Sequence, residues 1–303
     1  MDNFSALEEK LKHARIDFKV NEPLSKHSSF RIGGPVRLMA VPQNSVQVSA
    51  CMKYAMELGV EPIILGNGSN VLAPDGNFDA FVIKTTAVNE INIDGENLHA
   101  GAGALLSRVA AIAAGASLSG MEFAHGIPGT VGGAVFMNAG AYGGEMKDIV
   151  TSVRALDEEG VEHCLEGQML DFGYRHSFFS DKSWLITCVT IKLGKDDPEK
   201  IKNQMALLAK KRSASQPLNI PSAGSTFKRP TQGYAAALIE QAGLKGLRIG
   251  GAEVSEKHAG FVVNVGGATC ADVLNLMSEV ARTVNEKFGV TLEPEVRVLG
   301  VKK

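Results

Sequence analysis

Two hydrophobic periods alternate along this chain, and together they predict most of its elements. Val48, Met52, Ala55 and Met56 recur at helical spacing between Ser45 and Leu58, with Gly59 as a stop signal. Leu105 to Gly115 reads as a helix of small residues suited to close packing. Residues 5–15 read as an amphipathic helix opened by a capping box, Ser5-Ala-Leu-Glu8. Strand patterns occupy Arg37–Val41, stopped by Pro42, and then Glu61–Leu65, Phe81–Lys84, Ile91–Ile93, Asn97–Ala100, Thr151–Leu156 and Trp184–Ile191. Asp94-Gly95 predicts a hairpin turn. The polar segment Asp171–Ser177, with its aromatic residues, predicts a loop. Further on, helices are expected over Pro198–Arg212, Tyr234–Gln241 and Asp272–Lys287, with a strand at Phe261–Val265. Thr291–Leu299 reads as a closing strand in which Glu293 and Glu295 share a face, because strand side chains repeat every two residues.

Glycine interrupts the pattern in two places. In Gly126–Gly144 seven of nineteen residues are glycine, with Thr130, Val131, Val135, Phe136, Met137 and Tyr142 between them. Glycine permits φ > 0 and close backbone approach, and successive free N–H groups form a concavity suited to an anion. The interleaved apolar residues argue for a loop buried against something flat, such as a cofactor, rather than a surface turn. The second place is Gly66-Asn-Gly-Ser-Asn70, directly after a predicted strand, where nucleotide phosphates are often held. The Gly66 loop is not a dinucleotide fingerprint, since its third glycine position is Val71, and Gly101-Ala-Gly103, elsewhere in the chain, fails likewise with Leu106 in the third place. No P-loop and no nucleophile-elbow motif occurs.

A chain of 303 residues predicts two or three domains. At 45% hydrophobic, 21% charged and net charge −2, composition is that of an ordinary globular protein and gives no support for nucleic-acid binding. No apolar run is long enough for a membrane span, and the N-terminal residues do not read as a signal peptide. Cys51, Cys164, Cys188 and Cys270 lie far apart without a C-x-x-C pair, so neither zinc ligation nor a disulfide framework is expected. These features predict a reduced, cytoplasmic protein. Charge is uneven, however. Lys200 to Pro230 holds seven Lys or Arg and no Asp or Glu, first on a helix carrying Lys210-Lys211-Arg212, then in a turn-rich stretch containing Gly224-Ser225. The helix face reads as solvated surface and the loop as an anion site, with a domain boundary near residue 200.

Several segments, in order and spacing, resemble one family along almost the whole chain. They are Phe30-Arg-Ile-Gly-Gly, Leu65-Gly-Asn-Gly-Ser-Asn-Val-Leu72, Gly126-Ile-Pro-Gly-Thr-Val-Gly-Gly, Met137-Asn-Ala-Gly-Ala-Tyr-Gly143, Gly173-Tyr-Arg-His-Ser177, Pro221-Ser-Ala-Gly-Ser-Thr-Phe-Lys-Arg-Pro230 and Leu292-Glu-Pro-Glu-Val-Arg297. This set resembles the UDP-N-acetylenolpyruvoylglucosamine reductases, in particular the shorter second type that lacks a substrate-covering tyrosine loop.

The resemblance implies an α+β fold: a two-part FAD-binding cradle of the vanillyl-alcohol-oxidase class plus a smaller α/β substrate domain. It implies FAD-binding subdomains at 1–78 and 79–200, with strand 292–303 returning to the first, and a substrate-binding domain at 201–291. The implied activity is NADPH-dependent, FAD-mediated reduction of the enolpyruvyl group of UDP-N-acetylglucosamine-enolpyruvate to UDP-N-acetylmuramate, with FAD held non-covalently and NADPH as co-substrate. The cofactor residues implied are Gly66, Asn67, Gly68, Ser69, Asn70, Gly126, Ile127, Gly129, Thr130, Gly132, Gly133 and Asn138. Ser225 would protonate the substrate, Arg175 would hold its carboxylate, and Glu295 would polarise the same group. Lys228, Arg229, Tyr174 and Lys211 are candidate substrate contacts. Many members carry asparagine where this chain has Arg229, which replaces a donor–acceptor amide with a donor-only cation. No metal, nucleic acid or membrane is implied, and a monomer or weak oligomer is expected.

Three other readings compete. Another FAD oxidoreductase could share only the cradle, although the Gly66–Asn70 loop lacks the histidine through which many such enzymes attach FAD. A non-enzymatic flavin or UDP-sugar sensor would carry flavin that NADPH does not bleach. A hydrolase built on Ser225 lacks both the elbow and a histidine–acid partner.

Overall fold

The computed structural model describes residues 2–301. The chain packs as two compact, interleaved units: one of residues 1–20, 38–67 and 80–212, the other of residues 21–37, 68–79 and 213–303.

The first unit has two cores. Helices Asn3–His13 and Ser45–Glu57 bury Leu7, Leu11, Val48, Cys51, Met52 and Ala55 with Leu38, Ala40, Phe81 and Ile83. The last four lie on strands of a four-stranded sheet, in which Pro62–Leu65 and Phe78–Lys84 run parallel. The second core lies against an antiparallel five-stranded sheet, ordered Glu162–Glu166, Val150–Leu156, Leu185–Lys192, Asn97–Gly101, Ile91–Asp94. Helix Leu106–Gly115 presents Val109, Ala110 and Ala113 to it, and the short helix Val131–Phe136 adds Val131 and Val135. The small side chains predicted at 105–115 therefore pack closely, as their size suggests.

The second unit has one core. Helices Ala235–Gln241 and Cys270–Phe288 cover a three-stranded antiparallel sheet of Arg248–Ile249, Ala252–Val254 and Val262–Asn264. Phe30, Ile32 and Leu72 belong to the same core although they come from far earlier in the chain. Asp75 accepts hydrogen bonds from the backbone N–H groups of Cys270 and Ala271, supplementing the helix's own Thr269–Asp272 capping box.

Three local expectations are corrected. The first helix begins at Asn3, and its cap is Asp2, whose carboxylate accepts from Ser5 N; Ser5 is already inside the helix. A strand at Glu162–Glu166 was not foreseen, since among its residues only Leu165 is buried and its alternation is faint. The closing strand is confined to Arg297–Val298, which pairs in parallel with Val71–Leu72. Glu293 and Glu295 precede it in non-strand backbone, where Pro294 takes part in a single bridge to Phe227, so the shared-face argument does not hold.

Among the described residues, no helix is long and apolar enough to cross a membrane, and no cluster of His, Cys, Asp or Glu side chains is arranged to hold a metal. All four cysteines are unpaired.

Candidate active site

In the first unit the two glycine-rich loops meet. A Cβ on Gly66 would overlap Thr130 Oγ1, so glycine is required there by the neighbouring loop. The Asn67 amide donates to the Pro128 carbonyl at 2.8 Å, fastening the same junction. Thr130 caps the helix Val131–Phe136, accepting from Gly133 N at 3.4 Å, and Gly132 lies so close to Ala102 that a Cβ would come within 2.8 Å of it. Strand Pro62–Leu65 ends at the first loop, while the second turns directly into the N-terminus of a short helix. Ile127 is partly buried against the five-stranded-sheet core.

Asn138 is fully buried, with φ of 41°, a left-handed conformation that asparagine tolerates better than most residues. Its amide donates to Glu145 Oε2 at 3.0 Å and to the Gly173 carbonyl at 2.8 Å, and its oxygen accepts from Lys147 N at 2.9 Å. Both amide hydrogens are thus committed to protein. Through the Gly173 carbonyl, Asn138 braces the loop carrying Tyr174 and Arg175. Arg175 follows with φ of 53°. Its guanidinium lies 5.1 Å from the centre of the half-exposed Tyr174 ring and reaches the Gly140 carbonyl at 3.5 Å.

The basic helix Pro198–Ser215 contributes differently from its sequence pattern. Lys211 is exposed, whereas the Arg212 side chain lies against the Gly126–Gly144 loop, where a Cβ on Gly126 would come within 2.9 Å of its Cδ. Burial lowers the pKa of Arg212, with the Tyr142 hydroxyl opposing the shift. Sequence spacing alone did not distinguish these neighbours. His125, beside Gly126, has a buried Nδ1 with no hydrogen-bond partner.

The second unit gathers the remaining candidates. Gly68 has φ of 68°, and a Cβ there would strike the His27 carbonyl. The Ser69–Asn70 end of the turn is tied to the chain's closing segment: Asn70 Nδ2 donates to Glu295 O at 3.1 Å, and Arg297 N donates to Asn70 O at 3.0 Å. Glu295 N in turn donates to Thr226 O at 2.8 Å, and Lys228 N to Glu293 O at 2.8 Å. The serine loop is therefore laid along the segment bearing Glu295. Thr226 anchors it from below, donating through its backbone N–H to Gly260 O at 2.8 Å and accepting at its hydroxyl from Val262 N at 2.9 Å. Ser225 stands exposed between buried Thr226 and Gly224, whose φ of 77° turns the chain. Lys228 pairs with Glu293 at 3.3 Å, and the exposed Arg229 stacks over Tyr234 with 4.1 Å to the ring centre.

These arrangements can do definite chemistry. The meeting of two glycine loops at the start of a helix, together with the unpartnered buried His125 nitrogen and the cation of Arg212 at Gly126, suits an anionic, planar cofactor. The residues present therefore fit FAD. A hydroxyl held beside an anchored residue in this way can give a proton by virtue of its position rather than its acidity.

Two segments of the chain match known families. Residues 36–165 match the model of an FAD binding domain, and residues 216–299 match the UDP-N-acetylenolpyruvoylglucosamine reductase C-terminal domain. The chain is 46% identical over 296 residues to a UDP-N-acetylenolpyruvoylglucosamine reductase of Caldanaerobacter subterraneus, covering 98% of this chain and 97% of that one. A relative of the same name from Clostridioides difficile is 47% identical, with 94% of each chain covered. Among solved structures, the UDP-N-acetylenolpyruvylglucosamine reductase of Thermus caldophilus superposes with a TM-score of 0.79 at 35% identity, over 94% of this chain and 98% of that one. A berberine bridge enzyme variant shares the fold alone, with a TM-score of 0.52 and 15% identity over 65% of this chain and 45% of that one. The α+β fold with a two-part FAD-binding cradle is thus the one the sequence resemblance implied, and the chain belongs to the UDP-N-acetylenolpyruvoylglucosamine reductase family.

Proposed function

We propose that this enzyme reduces the enolpyruvyl group of UDP-N-acetylglucosamine-enolpyruvate to UDP-N-acetylmuramate, a step of peptidoglycan precursor synthesis, with FAD as cofactor and NADPH as reductant. The observation that carries the chemistry is the anchoring of Thr226, which presents the Ser225 hydroxyl while the same residue's carbonyl accepts from Glu295 N at 2.8 Å. Bound FAD supplies the hydride. The protein has the rest to do: orient the vinyl carboxylate, stabilise charge on it, and deliver one proton to C2.

Ser225 delivers that proton. Its hydroxyl is a weak acid, but an enolate carbon is a strong base, so placement decides the rate. Arg175 holds the substrate carboxylate and stabilises the charge that develops on it as C3 gains hydride. Glu295 polarises the same group. The Gly66–Asn70 and Gly126–Gly133 loops hold the cofactor, mainly through backbone N–H groups, because the side chains of Asn67, Asn70 and Thr130 are already bonded to protein. Lys228, Arg229, Tyr174 and Lys211 contact the UDP-sugar.

By this reading residues 1–78 and 79–200 form the cofactor cradle, residues 201–291 receive the substrate, and segment 292–303 returns to the first. The pairing of Arg297–Val298 with Val71–Leu72 supports that return. The UDP-sugar and nicotinamide nucleotide are cytoplasmic metabolites, which supports a cytoplasmic enzyme acting as a monomer or weak oligomer without nucleic acid or membrane.

Anaerobic spectroscopy tests the reading. One equivalent of NADPH should bleach the flavin, and the enolpyruvyl UDP-sugar should restore it. Bleaching without restoration would retain the cofactor and refute the substrate.

A further inference from the structure

Lys84 ends the strand Phe78–Lys84, opposite Leu65 in the parallel pair that leads into the first glycine loop. The residue is only 7% exposed, and its Nζ donates to the Gly66 carbonyl at 2.6 Å. Among the described residues no carboxylate reaches this ammonium, and burial alone accounts for the lowering of its pKa, to about 8. It is therefore mostly charged at neutral pH. A buried ion without a counter-charge opposes folding, and proteins keep one mainly where something else neutralises it.

The geometry also sets the direction of the loop. The peptide after Gly66 is trans, so the Asn67 N–H points away from the carbonyl that Lys84 holds. The Asn67 side chain is fixed separately to Pro128 O, and its backbone N–H has no partner among the described residues. The lysine thus lies behind the peptide, and a free donor lies in front of it.

We propose that Lys84 is the buried counter-charge for the diphosphate of FAD, and that by holding the Gly66 carbonyl it turns the Asn67 N–H toward that anion. This rests on the FAD reading above. Lys84 is a positioning residue: it acts on the ligand through its charge and through the peptide it holds. A mere brace for the loop would stabilise the protein with or without FAD. A counter-charge opposes folding until the anion arrives.

The test uses the full-length protein stripped of FAD, in three forms: parent, Lys84→Met and Lys84→Arg. Flavin fluorescence titration at pH 7 should give an FAD Kd for Lys84→Met raised about 10- to 100-fold over the parent, the range for losing a charge-assisted interaction. Without FAD, Lys84→Met should melt at or above the parent temperature; with saturating FAD it should melt below it. Lys84→Arg should recover most of the FAD affinity, which keeps the proposal open to test if methionine prevents folding. UDP affinity of the FAD-loaded proteins should be unchanged. An unaltered FAD Kd in Lys84→Met overturns the proposal. So does an FAD-free Lys84→Met protein that melts well below the parent, an Lys84→Arg protein as weak as methionine, or a loss confined to UDP. A parent protein that binds no FAD would instead bring down the cofactor reading itself.

Discussion

The side-chain amide of Asn70 donates to the backbone carbonyl of Glu295 at 3.1 Å, across 225 residues of sequence. A turn expected to hold cofactor and a segment expected to act on substrate are thereby fixed to each other. Asn70→Ala removes this bond and should lower stability by about 1 kcal/mol. If Glu295 is positioned by it, kcat should fall more than the FAD Kd rises; denaturant melts and steady-state kinetics on one preparation would separate the two.

Ser225→Ala leaves the anchoring bonds of Thr226 intact, because they involve neither the Ser225 side chain nor its backbone. Loss of a positioned proton donor should lower the rate of flavin reoxidation by substrate ~10²- to 10⁴-fold. The rate of bleaching by NADPH should not change. Stopped-flow traces of the two half-reactions would show both results at once.

Gly66→Ala should destabilise the protein by about 1–3 kcal/mol, since the new methyl meets the Thr130 hydroxyl. Adding Thr130→Ala relieves that overlap while losing the cap to Gly133. The double variant should therefore be more stable than the sum of the two single effects predicts, by a margin that a double-mutant cycle measures directly.

Asn138→Ala leaves Gly173 O and Lys147 N without their present partners and places alanine at a φ of 41°. The expected cost is about 2–4 kcal/mol. At temperatures where the variant remains folded, KM for the UDP-sugar should rise, because the loop that carries Arg175 has lost its brace.

Lys84 makes stability depend on pH in the FAD-free protein. Its pKa is about 8 when folded against 10.5 for the ordinary side chain. Below pH 8 both states are protonated and the burial penalty is constant. Between about 8 and 10.5 the unfolded chain binds more protons, so stability should rise with pH, by about 3 kcal/mol in all. Urea melts from pH 7 to 10.5 should reveal the rise in the parent and its absence in Lys84→Met. Saturating FAD should flatten the parent's profile.

The sequence carried the long elements because their signals are redundant. Val48, Met52 and Ala55 recur over about two turns, and all are buried in the helix Ser45–Glu57. The two glycine loops were visible for the same reason, as dense departures from background composition. What escaped was carried by single residues. Asp2 took the cap because its carboxylate reaches Ser5 N, a choice the capping-box pattern at Ser5 could not exclude. Lys84 reads as the polar end of the strand run Phe-Val-Ile-Lys, and its burial follows only from how Leu65 and Gly66 pass beside it. Nothing in the sequence around Asn138 shows its three protein partners, which only the folded chain brings together. Lys211 and Arg212 are neighbours, and the turn of one helix separates an exposed side chain from one against Gly126.

The interleaving of the second unit has a consequence for biosynthesis. Phe30, Ile32 and Leu72 must join a core whose helices lie at 235–241 and 270–288, Val71–Leu72 must wait for Arg297–Val298, and Asp75 must wait for Cys270. On a ribosome these early residues emerge long before their partners are made. An apolar strip and a bare strand edge are therefore exposed until translation is nearly complete, when chaperone capture competes with aggregation. A fragment of residues 213–303 made alone lacks those early pieces, and it should fail to melt cooperatively, whereas the whole chain should.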